Sequence, residues 1–120
     1  FLNTLDCVKN CKFSNLHVFP FSPKKSTPAE RMPQVRFDKI KERLKILERV
    51  GNEIKLDFMK EKLKKFDTIL FEGYNLSYTR DYFKVKVINR EKEQIIQKKG
   101  NLIKVRFLSI SNGSFNAAIV

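Results

Sequence analysis

The stretch DYFKVKVI, residues 81–88, alternates between two kinds of side chain from Tyr82 to Val87. Successive side chains of a β-strand point to opposite faces, so one face would carry Phe83, Val85 and Val87. The other face would carry Tyr82, Lys84 and Lys86. This alternation predicts a strand over residues 81–88 whose apolar face lies in a protein core.

Residues 102–108 repeat the pattern. Ile103, Val105 and Phe107 would share one face of a second strand, and Lys104 and Arg106 would share the opposite face. If the apolar faces point inward, both strands present cations outward. Their candidate nucleic-acid-binding residues, with the preceding loop included, are Arg80, Tyr82, Lys84, Lys86, Lys104 and Arg106.

Turn residues divide the rest of this region into further short segments. Residues 68–72, 93–97 and 115–120 read as three more strands, bounded by Gly73, Gly100 and the Asn112-Gly113 turn. We read residues 73–80 as a loop. Five short strands in residues 66–120 predict a small, partly open antiparallel β-barrel of oligonucleotide-binding proportions.

A long helix is predicted before the barrel, from about residue 33 to 64. Its apolar residues recur at helical spacing and draw one stripe: Phe37, Ile40, Leu44, Leu47, Ile54 and Phe58. We expect this stripe to pack on the barrel. We also expect Gly51-Asn52 to bend or split the helix, because glycine costs roughly 1 kcal/mol relative to alanine there.

The first 32 residues predict a short helix over 1–12, a strand over 16–19 and a proline-rich loop over 21–33. The fold class is therefore an α+β fragment, with a long linking helix followed by the barrel. Cys7 and Cys11 stand four residues apart, and we read them as a structural pair in a reducing compartment.

Charge limits the choice of partner. The chain has 120 residues, 25 Lys and Arg against 13 Asp and Glu, and a net charge of +12. Such an excess favours a polyanion, either nucleic acid or an acidic membrane surface. No apolar run of about 18 residues is present, so we expect no membrane insertion. The competing interpretation is that outward Lys and Arg only protect strand edges from aggregation.

No catalytic constellation emerges from the sequence. His17 is the only histidine, and the four glycines form no phosphate-binding loop. Two cysteines fall short of a metal or iron–sulfur ligand set. We therefore expect no cofactor in this chain and no activity from it alone.

Two segments resemble a known family. HVFPFSPKKSTPAERM, residues 17–32, resembles the last strand and following loop of the radical-SAM methylthiotransferases, most closely the branch acting on threonylcarbamoyladenosine in tRNA. SYTRDYFKV, residues 77–85, resembles the hallmark of that family's C-terminal TRAM domain. The resemblance implies a barrel remnant over 1–32, a linking helix over 33–65 and an RNA-binding TRAM domain over 66–120.

The resemblance also implies a cytoplasmic parent transferase with 4Fe-4S clusters and S-adenosylmethionine. That enzyme would add a methylthio group to a modified adenosine beside the anticodon, while the TRAM domain holds the anticodon arm of the tRNA. Its upstream radical-SAM domain would be a partner of these residues. A possible cofactor-proximal loop would include Ser22, Lys24 and Thr27.

The sequence departs from the family pattern at three positions. Ser26 and Ser77 stand where the family commonly has Gly, and Lys24 where it has Arg. A sister branch modifies a ribosomal protein, so the alternative function is a protein-docking TRAM domain. The basic charge favours RNA over that alternative.

Overall fold

The computed structural model describes residues 1–88 and 99–120, in which helices precede a β-barrel. The elements are α1 (Leu2–Cys11), a short 3-10 helix (Pro28–Arg31), α2 (Phe37–Lys62), β1 (Phe66–Phe71), β2 (Ser77–Thr79), β3 (Lys84–Val87), β4 (Asn101–Ser111) and β5 (Ser114–Ile119). The chain forms two compact units, Phe1–Lys55 and Leu56–Val120, so the boundary between them falls within α2. The predicted α+β class is confirmed.

The barrel is closed. Its strands follow one another in the order β1-β2-β3-β5-β4, and β4 pairs back to β1. Four pairings are antiparallel, whereas β3 and β5 run parallel. The predicted small five-stranded barrel is confirmed, but it is closed rather than partly open and one of its five pairings is parallel. Directions cannot alternate around a ring with an odd number of strands, so closing five strands requires a parallel pair.

One of the five strands was not predicted. β2 lies in the segment that we read as a loop, because Ser77 and Thr79 face the core where the alternation pattern requires apolar residues. Their hydroxyls are satisfied: Ser77 Oγ donates to the Gly73 carbonyl at 2.8 Å, and Thr79 Oγ1 accepts from Phe83 N at 3.0 Å. The predicted strand over residues 93–97 lies outside the described residues.

The six side chains predicted to point inward from residues 81–88 and 102–108 all lie in the core. The buried cluster consists of Met59, Ile69, Phe71, Phe83, Val85, Val87, Ile103, Val105, Phe107, Phe115 and Ala117. Phe115 stands at its centre, with its ring 4.2 Å from that of Phe107 and 5.8 Å from that of Phe83, measured between centroids. Burying each large apolar side chain contributes about 1.5–3 kcal/mol, so this cluster is the main source of barrel stability.

Helix α2 is continuous through Gly51, so the expected split there is wrong, while the bend stays a prediction. Glycine serves packing at this position: a Cβ on Gly51 would lie only 2.9 Å from Leu16 Cδ1. The missing side chain lets Leu16 pack closely against the helix.

The two units place different parts of the α2 stripe. Phe58 packs against the barrel core, together with buried Met59 and the following Leu63. Leu44 and Leu47 instead line a cavity of about 370 Å³ within Phe1–Lys55, and Phe37 is exposed. Helical spacing identified an apolar face but could not tell which surface each part of it contacts.

Leu16–Phe19 is not a strand, contrary to expectation. The rings of His17 and Phe19 stack with their centroids 6.4 Å apart. Phe1–Lys55 is described throughout and contains no strand to pair with. Along the described ranges of the chain, no helix has both the length and the apolar character needed to cross a bilayer.

Candidate nucleic-acid interface

The outward side of β4 and β1 carries two predicted cations beside an aromatic ring. In the antiparallel register, Arg106 is opposite Phe66 and Lys104 is opposite Thr68. Lys104 Nζ and Arg106 Cζ each lie 5.7 Å from the centroid of the Phe66 ring, which is 56% exposed. Cations at this distance interact favourably with a ring face. The arrangement holds two charged groups and one exposed aromatic surface together.

Two further lysines extend this surface. The chain leaves α2 through Lys64, which has φ 62°, and then pairs with β4. Lys64 N donates to the Phe107 carbonyl at 2.8 Å, and Phe107 N donates to the Lys65 carbonyl at 3.1 Å. Arg106 Nε donates to the Lys64 carbonyl at 3.3 Å. Both lysine side chains are exposed, and we call Lys64, Lys65, Lys104 and Arg106 around Phe66 the basic strip.

Sequence reasoning did not single out Lys64, Lys65 and Phe66, because they lie between the predicted end of the helix at about residue 64 and the first predicted strand at residue 68. The signal was nonetheless present. Phe66, Thr68 and Leu70 have the parity opposite to Ile69 and Phe71, so alternation places them on the outside of β1.

A groove continues the same outward side of the barrel. Across the strands, Leu102 is opposite Leu70, Leu70 opposite Tyr78, and Tyr78 opposite Lys84. The groove has a volume of about 970 Å³. Its wall includes Thr68, Leu70, Tyr78, Arg80, Tyr82 and Leu102.

The loop between β2 and β3 projects Tyr82 into this groove region with its side chain 82% exposed. Thr79 N donates to the Phe83 carbonyl and Tyr82 N donates to the Thr79 carbonyl, each at 3.0 Å. Arg80, Asp81 and Tyr82 thus form a three-residue hairpin loop. Such loops commonly end with a residue in the left-handed conformation, and Tyr82 has φ 63°. For a side chain other than Gly, Asn or Asp this conformation costs about 1–2 kcal/mol.

Lys62 ties this loop to the end of α2. Its Nζ donates to Asp81 in the loop and, at 3.3 Å, to Asp67 Oδ2 in β1. Burial alone would lower the pKa of Lys62, but the hydrogen bonds to Asp81 and Asp67 and their negative charges outweigh burial and raise that pKa. The loop is therefore held by an ion pair as well as by backbone hydrogen bonds.

The structure groups some of the predicted site residues and separates others. Lys104 and Arg106 lie together on the basic strip, and Arg80 and Tyr82 lie together at the groove. Lys84 adjoins Tyr78, whereas Lys86 is half-buried and opposite Asn116 of β5. The ring order separates β3 from β4 by β5 on one side and by β1 and β2 on the other.

The predicted cofactor-proximal loop lies in Phe1–Lys55. Ser22 and Lys24 are exposed, while Thr27 is half-buried and its Oγ1 donates to the Lys24 carbonyl at 2.7 Å. The Thr27 hydroxyl therefore braces the turn that enters the 3-10 helix. Ser26 in the same turn has φ 66°, a conformation that glycine adopts without strain.

Cys7 and Cys11 lie on an exposed face of α1 with their Sγ atoms 3.8 Å apart. The hydrogen bond with Cys7, followed by the charge of that neighbour, raises the pKa of the Cys11 thiol. Within residues 1–88 and 99–120, no three His, Cys, Asp or Glu side chains converge in a way that could hold a metal ion.

Comparison with known proteins points to one enzyme family. The chain is 32% identical over all 120 residues to the threonylcarbamoyladenosine tRNA methylthiotransferase MtaB of Rickettsia prowazekii, and it spans 27% of that protein's length. The protein of the same name from Thermotoga maritima is 37% identical over 75 residues, which are 62% of this chain and 17% of that protein.

A tRNA-2-methylthio-N(6)-dimethylallyladenosine synthase of Campylobacter hominis is 33% identical over 72 residues, 60% of this chain and 17% of that protein. No protein-family model matches the sequence. The resemblance carried by residues 17–32 and 77–85 is confirmed, and the chain is related in sequence to the tRNA methylthiotransferases, of which it spans about a quarter.

Proposed function

We propose that this chain is the C-terminal, RNA-holding part of a tRNA methylthiotransferase and that its barrel binds the anticodon arm of the tRNA. The observation that carries this proposal is the basic strip, where Lys104 and Arg106 both stand over the exposed ring of Phe66. The relatives that modify tRNA support the choice of nucleic acid.

Binding would follow from charge and from the exposed aromatic surface. Each cation that neutralises a phosphate releases condensed counterions, which makes binding favourable and dependent on salt. The exposed ring of Phe66 offers a stacking surface between these cations. The net charge of +12 adds long-range attraction for a polyanion.

The family implies 4Fe-4S clusters and S-adenosylmethionine, and the described residues do not fit a cluster. Cys7 and Cys11 bring two thiols together, and no third ligand joins them within the described ranges. We therefore assign no step of methylthiolation to these residues. We propose that an upstream radical-SAM domain of the same cytoplasmic protein supplies that chemistry. The greater length of the relatives supports this. The placement of Ser22, Lys24 and Thr27 near the cofactor remains a prediction.

The test is filter binding of an anticodon stem-loop across a salt series. Replacing Lys104 and Arg106 by alanine should weaken binding and reduce the salt slope by about one unit for each lost phosphate contact. Lys41→Ala with Lys45→Ala removes the same charge from α2 and is the matched control.

Three outcomes separate the possibilities. A reduced slope in the strip variant alone supports the proposal. Equal losses in both variants would mean that net charge, not the strip, binds RNA. Unchanged RNA affinity in a folded strip variant would favour the alternative, a barrel that docks a ribosomal protein.

A further inference from the structure

The groove beside the basic strip is the surface from which a more specific ligand can be inferred. Any exposed cation can bind a phosphate, but the groove is lined by Leu70, Leu102 and two tyrosines, and its charged residues include three carboxylates beside Lys62 and Arg80: Asp67, Glu72 and Asp81. A wall of this composition suits a flat, partly apolar group better than a phosphate. The bases of a nucleic acid are such groups.

Tyr82 is the residue that distinguishes this groove. Its φ of 63° is a conformation that Gly or Asn adopts more readily, and its side chain is 82% exposed. The ring is therefore displayed where packing within the described residues covers little of it. Backbone strain combined with an exposed aromatic ring is a pattern found at ligand-binding positions.

The loop is also fixed before any ligand arrives. Three hydrogen bonds join Thr79 to the loop and to Phe83, and Lys62 holds Asp81. A ring on a fixed loop loses little conformational entropy on binding, so it is a better platform than a ring on a flexible one.

We propose that the groove binds one unpaired base of the RNA, with Tyr82 as its stacking platform, so that the barrel holds looped rather than duplex RNA. This inference rests on the proposed RNA-binding function. Bases within an A-form duplex are stacked on each other and cannot offer a face to a side chain, whereas an unpaired loop base can. Arg80, at the same wall, would meet the phosphate of that nucleotide.

The experiment compares the 120-residue chain with Tyr82→Asn, Tyr82→Phe and the exposed-aromatic control Phe37→Ala. Asn tolerates the left-handed backbone, so Tyr82→Asn removes the ring without refolding the loop. Its affinity for a stem-loop should fall by about 5- to 150-fold, as expected for one lost stacking contact, with the salt slope unchanged. Its affinity for a blunt duplex with the same number of phosphates should not change. Tyr82→Phe and Phe37→Ala should bind both RNAs as the parent does.

A stability measurement and a direct optical signal complete the test. Tyr82→Asn should melt at the same temperature as the parent or higher, because it relieves strain. The chain has three tyrosines and no tryptophan, so tyrosine fluorescence, corrected for absorption by the RNA, can report stacking without tryptophan emission. Stem-loop binding should quench part of that fluorescence in the parent, and Tyr82→Phe should lose this part while keeping its affinity.

Failure of this inference is distinguishable from failure of the proposed function. If RNA binds with a steep salt slope but Tyr82→Asn matches the parent on both RNAs, the strip binds RNA and the groove does not hold a base. If no RNA binds with a salt-dependent affinity, both proposals are wrong.

Discussion

The two compact units of the chain bury their apolar residues to very different degrees. In Leu56–Val120 the inward side chains of the strands and of Met59 form one cluster that excludes water. In Phe1–Lys55 the buried apolar side chains are Val8 and Val50, while Phe19 and Met32 remain 77% and 64% exposed. Both regions have regular apolar patterns in sequence, but only the barrel buries most of its patterned side chains inside its own unit.

Ring closure explains the difference. Every strand of the barrel has a neighbour on both sides, so alternate side chains meet in the middle. Phe1–Lys55 has no comparable enclosure. It contains α1, most of α2 and the Leu16–Phe19 segment, which pairs with no strand. Substitutions at matched residue types should therefore have unequal effects in the two units.

The largest difference in the free energy of unfolding between the two units should come from Phe→Ala substitutions. Phe115→Ala removes a fully buried ring at the centre of the core and should lower the free energy of unfolding by about 3–5 kcal/mol. Phe21→Ala, in the first unit and 60% exposed, should change it by less than about 0.5 kcal/mol. Urea unfolding followed by circular dichroism measures both. Comparable losses would show that the first unit is as tightly packed as the barrel.

A second test examines the close packing of Leu16 against Gly51 in the first unit. Gly51→Val forces a side chain into Leu16 and should destabilise Phe1–Lys55 locally by about 1–3 kcal/mol. Asn52→Val places the same side chain on the neighbouring exposed position and controls for helix propensity. Hydrogen exchange of amides in residues 1–55 reports the change. Identical exchange in the two variants would mean that Leu16 moves aside at little cost.

A smaller effect is expected at the ion pairs of Lys62. Lys62→Met should cost roughly 1 kcal/mol, since its bonds to Asp67 and Asp81 are only partly shielded from water. Lys60→Met, exposed on the same helix, is the control.

The pKa of Lys62 is raised on folding, so its contribution is complete below the usual value of 10.5 and is lost as pH rises through the folded value. As the pH rises from neutral, the difference between the parent and Lys62→Met should therefore stay constant up to about pH 10.5 and shrink above it. A difference that shrinks already near neutral pH would rule this out.

The smallest effect concerns the thiols of α1. Cys7→Ala removes the hydrogen bond and the charge that raise the pKa of Cys11, so Cys11 should react faster with a thiol reagent at pH 8. Asn10→Ala is the control, and neither change should affect barrel unfolding. A slower Cys11 in Cys7→Ala would contradict the assigned cause.

Local alternation was enough to predict the faces of β3 and β4, because Val85 and Val105 can be placed inward without knowing which strands pair with theirs. It failed for β2, whose inward Ser77 and Thr79 are satisfied by hydrogen bonds that sequence spacing does not reveal. It also could not predict the parallel pair, which follows from closing a ring of five strands.

The candidate site was predictable only in part, because alternation gives the face of a side chain but not its neighbours on other strands. Lys104 and Arg106 were placed outward by parity, but their grouping around Phe66 depends on the β1–β4 register, which pairs residues about 40 positions apart. The left-handed backbone of Tyr82 depends on the length of its loop, and we had read that residue as part of a strand. Gly51 was read as a weak point because its close neighbour, Leu16, is remote in sequence.

The position of β5 between β3 and β4 has a consequence for how the barrel assembles. The other four strands can pair as a single open sheet, β4-β1-β2-β3, with two free edges. β5 covers both free edges at once, because one of its edges pairs in parallel with β3 and the other pairs antiparallel with β4. Until it docks, Val85 and Phe107 lie on an unclosed sheet whose edges can recruit other chains. Losing residues 114–120 would therefore turn a self-contained barrel into a template for aggregation, rather than merely a less stable one.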